Sequence, residues 1–337
     1  MLRLRAPELG ERRIIEIVIG CLERMPGMYP PFGDDVSAVD IGNGLLAVLK
    51  ADMLVASTDV PSQMTLWQAA RKAVVMNVSD LAAKGVKPVA ILASLGLPRN
   101  LTEEDVREIG MGLNDGAREY GAYVLGGDTN EAAELVIDCL AFGVCRRETF
   151  IPRSGARPGD VLAVTGLFGK TAAGLKILLE GLEAPREVAE ALVNSVLVPK
   201  ARVREGVAMA EVGGVTASID SSDGLAWSLH ELSRASGVGF LVERLPIAPE
   251  VEEFAEMHGL DPKELCLYGG EEYELVVTVK PESWEIVERA VEDAGGNLMR
   301  IGVATDEKLL RLRWMGETIP IEPRGWEHFR QTAGMAR

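Results

Sequence analysis

Seven acidic residues begin or end apolar runs at five places along the chain: Asp34-Asp35, Asp52, Asp80, Asp128 and the pair Asp220/Asp223. Four of these places carry glycine or serine beside the acid, as in Gly33-Asp34-Asp35, Ser79-Asp80, Gly126-Gly127-Asp128 and Asp220-Ser221-Ser222-Asp223-Gly224. A carboxylate near apolar strands is costly to bury unless a cation or a donor meets it. A fold that draws many of them to one cleft needs divalent cations among them. That pattern points to oxygen-ligated Mg²⁺ holding a polyphosphate, since Mg²⁺ takes a few carboxylates plus substrate phosphates rather than an all-protein cage. Each acid alone also fits an ordinary turn or helix cap. Their co-occurrence carries the reading.

The apolar spacing predicts a helix over 11–23, with Ile14, Ile15, Ile17, Val18 and Cys21 on one face. Leu45–Leu49 reads as a short apolar strand that delivers Asp52 at its end. Thr65-Leu66-Trp67-Gln68 reads as a capping box opening a helix that runs to about Lys84 and stops at Gly85. Asp80 falls in its last turns, where the backbone dipole disfavours negative charge by some tenths up to about 1 kcal/mol. An acid placed there suggests an external cation. Thr102–Tyr120 reads as a second capped helix, followed by a strand at Tyr123–Leu125, a Gly126-Gly127-Asp128 turn and a long strand over Leu135–Val144. The second half restarts with a strand at Val161–Val164 and a helix over Thr171–Glu180. It continues with a strand ending at Asp220, a helix over Leu225–Ser236, and strands at Glu274–Val279 and Leu309–Arg313. Strands and helices alternate in both halves, so the class is mixed α/β (α+β). A length of 337 residues suits two domains, placed at 1–146 and 147–337, with the loop Arg153–Asp160 breaking the pattern between them.

Several function classes are disfavoured. The formal charge is −16, from 35 Lys plus Arg against 51 Asp plus Glu, which opposes binding to nucleic acid or an anionic membrane. The four cysteines, Cys21, Cys139, Cys145 and Cys266, form no Cys-x-x-Cys pair and read as free thiols of a reducing cytosol. The start Met1-Leu2-Arg3-Leu4-Arg5 does not read as a signal peptide, and no apolar run is long enough to span a membrane, so a cytoplasmic protein is expected. Gly166-Leu167-Phe168-Gly169-Lys170-Thr171 ends like a phosphate-binding P-loop, but Val164 stands where the motif needs its first glycine. A glycine-mediated strand-to-helix turn is the better reading. No Gly-x-Gly-x-x-Gly follows the early strands, and no Gly-x-Ser-x-Gly is present. Three dispersed histidines, His230, His258 and His328, do not suit a zinc hydrolase.

Taken together, the motifs resemble the AIR synthase-like superfamily and, within it, the thiamine-monophosphate kinase branch in an archaeal-type variant. The resemblance runs through Gly33-Asp34-Asp35, Asp52-Met53-Leu54-Val55, Asn77-Val78-Ser79-Asp80-Leu81-Ala82-Ala83-Lys84-Gly85 and Gly126-Gly127-Asp128-Thr129. It continues through Arg153–Asp160, Asp220–Leu225, Gly269-Gly270-Glu271-Glu272-Tyr273-Glu274-Leu275 and Gly325-Trp326-Glu327-His328-Phe329. The last two blocks resemble the kinase branch in particular. The resemblance implies an N-terminal α/β domain that pairs with a second subunit into a barrel, making a homodimer, and a C-terminal α/β domain. It implies ATP-dependent phosphorylation of thiamine monophosphate to the diphosphate, with several Mg²⁺ ions. By the same resemblance Asp34, Asp35, Asp52, Asp80, Asp128, Asp220 and Asp223 hold metal, with Asp80, Asp128 and Asp220 acting in catalysis through it. Gly127, Asp128, Arg153 and Ser222 meet the nucleotide, and Asp59, Glu271 and Trp326 meet the acceptor.

Two departures matter. Lys50-Ala51 stands where the family often has Ser-Thr, removing two hydroxyl oxygens and offering one positive charge in place of one cation. Asp59 falls in the register of a substrate-side histidine. The alternatives are an AIR synthase-like ligase, a hydrogenase-maturation protein or a non-catalytic nucleotide-binding protein. The second would usually carry a C-terminal cysteine, whereas the chain ends Gly334-Met335-Ala336-Arg337.

Overall fold

The computed structural model describes residues 5–30 and 32–329. The Met1–Leu4 stretch and the Gly334–Arg337 ending named above lie outside them. The first half builds a five-stranded sheet from β1 (Ser37–Gly42), β2 (Leu45–Val55), β3 (Pro88–Leu97), β4 (Tyr123–Glu131) and β5 (Val136–Arg146), in the order β1-β2-β5-β3-β4. Asn43-Gly44 turns β1 into β2 with positive φ at both residues, as a tight two-residue hairpin requires. β2 and β5 pair without a register shift from Leu45↔Arg146 to Val55↔Val136. The strand therefore runs through Lys50, Ala51 and Asp52 rather than stopping at Leu49. Charged side chains there do not end it, because the β5 ladder satisfies its backbone.

Residues of period two put Leu46, Val48, Leu54, Ile137, Cys139 and Ala141 on one face, all buried against the helix Leu66–Ala83. Thr65 caps that helix, accepting from the Gln68 N–H while the Gln68 side chain accepts from the Thr65 N–H. The opposite face leaves Met53, Leu92 and Val144 exposed, with Leu125 beside them at a bulge. Gly126-Gly127-Asp128 lies within β4 and is not a turn. Gly127 is required there because a Cβ would fall 1.7 Å from the Ala93 carbonyl oxygen on β3.

The second half builds a seven-stranded sheet from β6 (Val161–Val164), β7 (Val215–Asp220), β8 (Gly239–Val242), β9 (Leu275–Val279), β10 (Met299–Thr305), β11 (Leu310–Trp314) and β12 (Glu317–Pro320). The order is β12-β11-β8-β10-β6-β9-β7, antiparallel except at β8–β11. One apolar cluster runs from Leu46 and Val48 through Val74 and Val78 to Val277 and Val279, so helix Leu66–Ala83 is the shared core of both sheets. Helix Val203–Val212 packs on it at Gly206, where a Cβ would lie 2.0 Å from the Ala82 carbonyl oxygen. The two architectures match the mixed α/β expectation. The first helix differs from it. It spans Glu11–Gly20 and buries none of its residues, so Ile15, Ile17 and Val18 face outward. Its first turn is held by the Arg12–Glu231 ion pair and by Glu11 accepting from the His328 N–H, while the rest of the apolar face packs on no core among the described residues.

Candidate functional site

The shared helix supplies Asp80, the end of β7 supplies Asp220, and the loop before β1 supplies Asp35. Oxygens of these three buried carboxylates lie within 4.8 Å of one another. Ser79, one residue before Asp80, donates its hydroxyl to Asp220 Oδ2 at 2.7 Å, which ties the helix to β7. Asn77, one turn earlier, accepts from the Asp52 N–H at 2.8 Å and donates to the Asp52 carbonyl at 3.2 Å. That clamp holds β2 against the helix. Lys50 lies two residues before Asp52 on the same face, and its Nζ stands 3.0 Å from Asp52 and 3.2 Å from Asp80.

The other flank is cationic as well. Lys84 is fully buried just past the helix end, with Nζ 2.8 Å from Asp34 Oδ1, 2.5 Å from Asp35 Oδ2 and 2.7 Å from the Ser218 carbonyl oxygen. Arg153 pairs with Asp35 and with Glu231, and its N–H donates to Asp34 Oδ2 at 2.9 Å. Burial raises the Asp35 pKa, but Arg153 and Lys84 more than offset it and hold the group below the usual range. Asp80 and Asp220 go the other way. Burial pushes Asp80 well above its ordinary value despite the relief from Lys50, and the Asp220, Asp52 and Asp35 carboxylates push the same way. Burial and then Asp35 push Asp220 up to about 6. Asp223 rises to about 7, through burial and the Glu11 carboxylate. Such crowding marks a place short of positive charge. The donors are all oxygen, and Ser221 Oγ, next to Asp220 in the chain, is buried without a hydrogen-bond partner among the described residues. An all-oxygen set of this kind fits a hard divalent cation such as Mg²⁺.

The remaining expected residues fall in three places. Asp223 and Ser222 lie at the start of helix Leu225–Ser236; the Asp223 carbonyl accepts from Trp326 and the Ser222 carbonyl accepts from Glu271 at 2.6 Å. These two bonds bring Trp326 and Glu271 to the edge of the acid cluster. The Glu271 carboxylate lies 2.6 Å from Lys72 Nζ, which also donates to the Asp59 carbonyl at 2.9 Å. The Asp59 side chain turns back to accept from the Val55 N–H. Gly127 and Asp128 stand elsewhere. Asp52, Cys139, Ala93 and Gly127 form one row across the sheet, and Met53, Asp138, Ser94 and Asp128 form the next. Successive rows point to opposite faces, so Asp128 is exposed on the face away from Asp80. Within this chain it does not join the other acids.

Two buried lysines that organise the site, Lys72 and Lys84, were not anticipated from the sequence. The only trace was a charge inside the otherwise apolar run Leu81-Ala82-Ala83-Lys84-Gly85. The Gly166–Thr171 turn is filled by the protein itself: Glu272 Oε1 accepts from the Gly169 and Thr171 N–H groups at 2.7 and 3.1 Å. A carboxylate occupies the helix start where a P-loop would hold phosphate.

Two family models match the chain: AIR synthase related protein, N-terminal domain, over residues 33–145, and AIR synthase related protein, C-terminal domain, over residues 157–315. The thiamine-monophosphate kinase of Nitrosopumilus maritimus is 37% identical over 297 residues, covering 88% of this chain and 93% of the relative. That of Pyrococcus horikoshii is 39% identical over 307 residues, covering 88% of this chain and 91% of the relative. Among solved structures, "AaThiL complexed with AMPPCP and TMP" superposes with a TM-score of 0.85 at 29% identity, over 97% of this chain and 100% of that one. With both halves matched by the two family models and the kinase relatives aligned almost end to end, the chain belongs to the AIR synthase related proteins and, within them, to the thiamine-monophosphate kinase family.

Proposed function

We propose that this protein transfers the γ-phosphoryl group of ATP to the phosphate of thiamine monophosphate, yielding thiamine diphosphate and ADP. The observation that carries the proposal is the convergence of Asp35, Asp80 and Asp220 in one buried cluster, in a chain related over most of its length to kinases of that name. The acceptor oxygen is already largely ionised near neutral pH, since a phosphomonoester loses its second proton at a pKa of roughly 6. No strong general base is needed, in keeping with a cluster built from aspartates and no histidine. The obstacle is repulsion between two anions, so positioning and charge neutralisation do most of the work. Asp35, Asp80 and Asp220, with Asp52 beside them, would hold Mg²⁺, which when bound offsets phosphate charge as a Lewis acid. Arg153, fixed by Asp35 and Glu231, and Ser222, two residues past Asp220, lie beside the same cluster and would contact the nucleotide. Trp326, 39% exposed with its ring edge-on to His328, is suited to stack on a cationic heteroaromatic ring, and Glu271, held by Lys72, lies near it on the acceptor side.

The test is incubation with ATP, Mg²⁺ and thiamine monophosphate. Equal amounts of ADP and thiamine diphosphate are expected, with no product in excess chelator. ATP consumption without the diphosphate would favour a ligase or hydrogenase-maturation reaction of the same superfamily, and no metal-dependent nucleotide binding would favour a non-catalytic protein.

The exposed apolar face of the first sheet supports a homodimer, with a second copy covering Met53, Leu92, Leu125 and Val144. Asp128 lies on that same side, so its part in metal and nucleotide binding depends on what the second copy brings to it. Sedimentation is expected to give twice the chain mass of 36.3 kDa; a single-chain mass at micromolar concentration would contradict the arrangement.

A further inference from the structure

Among the described residues five carboxylates crowd the cluster, those of Asp34, Asp35, Asp52, Asp80 and Asp220, while Asp223 interacts more strongly with Glu11 and Arg12 than with Asp220 and stands outside the balance. Three cations are built in among them, Lys50, Lys84 and Arg153. Glu231, the other partner of Arg153, has Arg12 and Arg234 of its own, so it draws little on this balance. Five negative charges against three positive leave two, which one divalent ion neutralises.

The three cations are not equivalent. Lys84 and Arg153 are spent on Asp34 and Asp35 at the far flank. Lys50 alone reaches the side where Asp52 and Asp80 face each other, and both oxygens it meets belong to carboxylates. β2 delivers it there rigidly: the register with β5 is unbroken on both sides of Lys50↔Ala141, so its side chain emerges on the helix-facing side beside Asp52. A divalent ion bridging the same two carboxylates would compete with the ammonium for that place.

We infer that the Lys50 ammonium takes the position between Asp52 and Asp80 that a second divalent cation would otherwise occupy, so the nucleotide-free chain binds one such ion. The inference rests on the metal-site reading above and adds a count to it. The lysine lowers the requirement for free Mg²⁺ by carrying one countercharge on the chain. It also confines the remaining ion to the Asp35–Asp80–Asp220 side.

The experiment counts tight Mn²⁺ sites on the full chain without nucleotide, by loss of the free-ion electron paramagnetic resonance signal on titration. One site is expected for the parent and one for Lys50→Arg, which keeps the charge, against two for Lys50→Ser. Should Lys50→Ser unfold in chelator, refolding on Mn²⁺ addition with two ions bound gives the same support. A Lys50→Ser protein that folds and still binds one ion overturns the inference, and so does one that stays unfolded in saturating Mn²⁺. An unchanged count with a raised KM for ATP would make Lys50 a phosphate contact instead. A parent that binds no Mn²⁺ sinks the metal site itself, a separate failure visible in the same titration.

Discussion

Asp220→Asn is expected to cost at least about 100-fold in turnover while making the metal-free protein more stable at neutral pH. The rate loss corresponds to about 2.7 kcal/mol of transition-state stabilisation, a modest figure for removing one of three carboxylates proposed to share a cation. The substitution is nearly isosteric, and the amide oxygen still accepts from the Ser79 hydroxyl. Only the charge goes. In the absence of metal that charge is a burden, because Asp220 is buried with Asp35 and Asp80 around it and is held up to about 6 against an ordinary value of 3.8. The sign follows from linkage. A carboxyl whose folded-state pKa is raised destabilises the fold above that pKa, and the penalty fades as pH falls toward the unfolded value. The gain, on the order of 1–3 kcal/mol, should therefore appear above about pH 6 and vanish below about pH 4. Melting in chelator and turnover at saturating ATP and Mg²⁺ check the two halves. Near-normal turnover, or a metal-free variant that melts lower than the parent at pH 7.5, would count against the assignment.

Lys84→Met is expected to destabilise the fold by about 3–5 kcal/mol, the usual penalty for removing one partner of a buried ion pair. No part of the Lys84 side chain reaches solvent, and it holds Asp34, Asp35 and the Ser218 carbonyl together. These partners come from the loop before β1 and from β7, so one ammonium joins the two sheets at the end of their shared helix. Methionine fills similar volume without donating a hydrogen bond. Asp35 keeps Arg153, but Asp34 is left with backbone N–H donors alone from Asp35 and Arg153. Urea denaturation reads the loss directly. Lys87→Met, three residues on and exposed, is the control and should change stability by less than about 0.5 kcal/mol. Equal midpoints for the two variants would show that the Lys84 contacts carry no net stability.

Much of the architecture was legible because local signals and tertiary packing agree. The capping boxes at Thr65 and Thr102 start helices Leu66–Ala83 and Glu103–Glu119, and the glycine past Asp223 opens helix Leu225–Ser236. Local reasoning went astray where pairing with a distant strand decides the outcome. Lys50–Asp52 reads as a strand end, and Gly126–Asp128 as a turn, yet the ladders to β5 and β3 carry both segments through. The Glu11–Gly20 helix has the apolar spacing of a core helix but meets no core among the described residues. The acids were visible as a class from their places beside apolar runs. Which of them meet was not, because that depends on sheet parity: a one-residue step separates Gly127, on the row of Asp52, from Asp128 on the outward row. The buried lysines were least visible, since lysine is ordinarily a surface residue and only the surrounding acids make burial tolerable.

The central claim is that these aspartates share a cation with the nucleotide phosphates. A crystal structure with Mg²⁺ and a non-hydrolysable ATP analogue tests it most directly. The account predicts an ion about 2.0–2.1 Å from oxygens of at least two of Asp35, Asp80 and Asp220, with a phosphate oxygen completing its shell. Density showing the triphosphate bound away from these three side chains, with no ion between them, would contradict it.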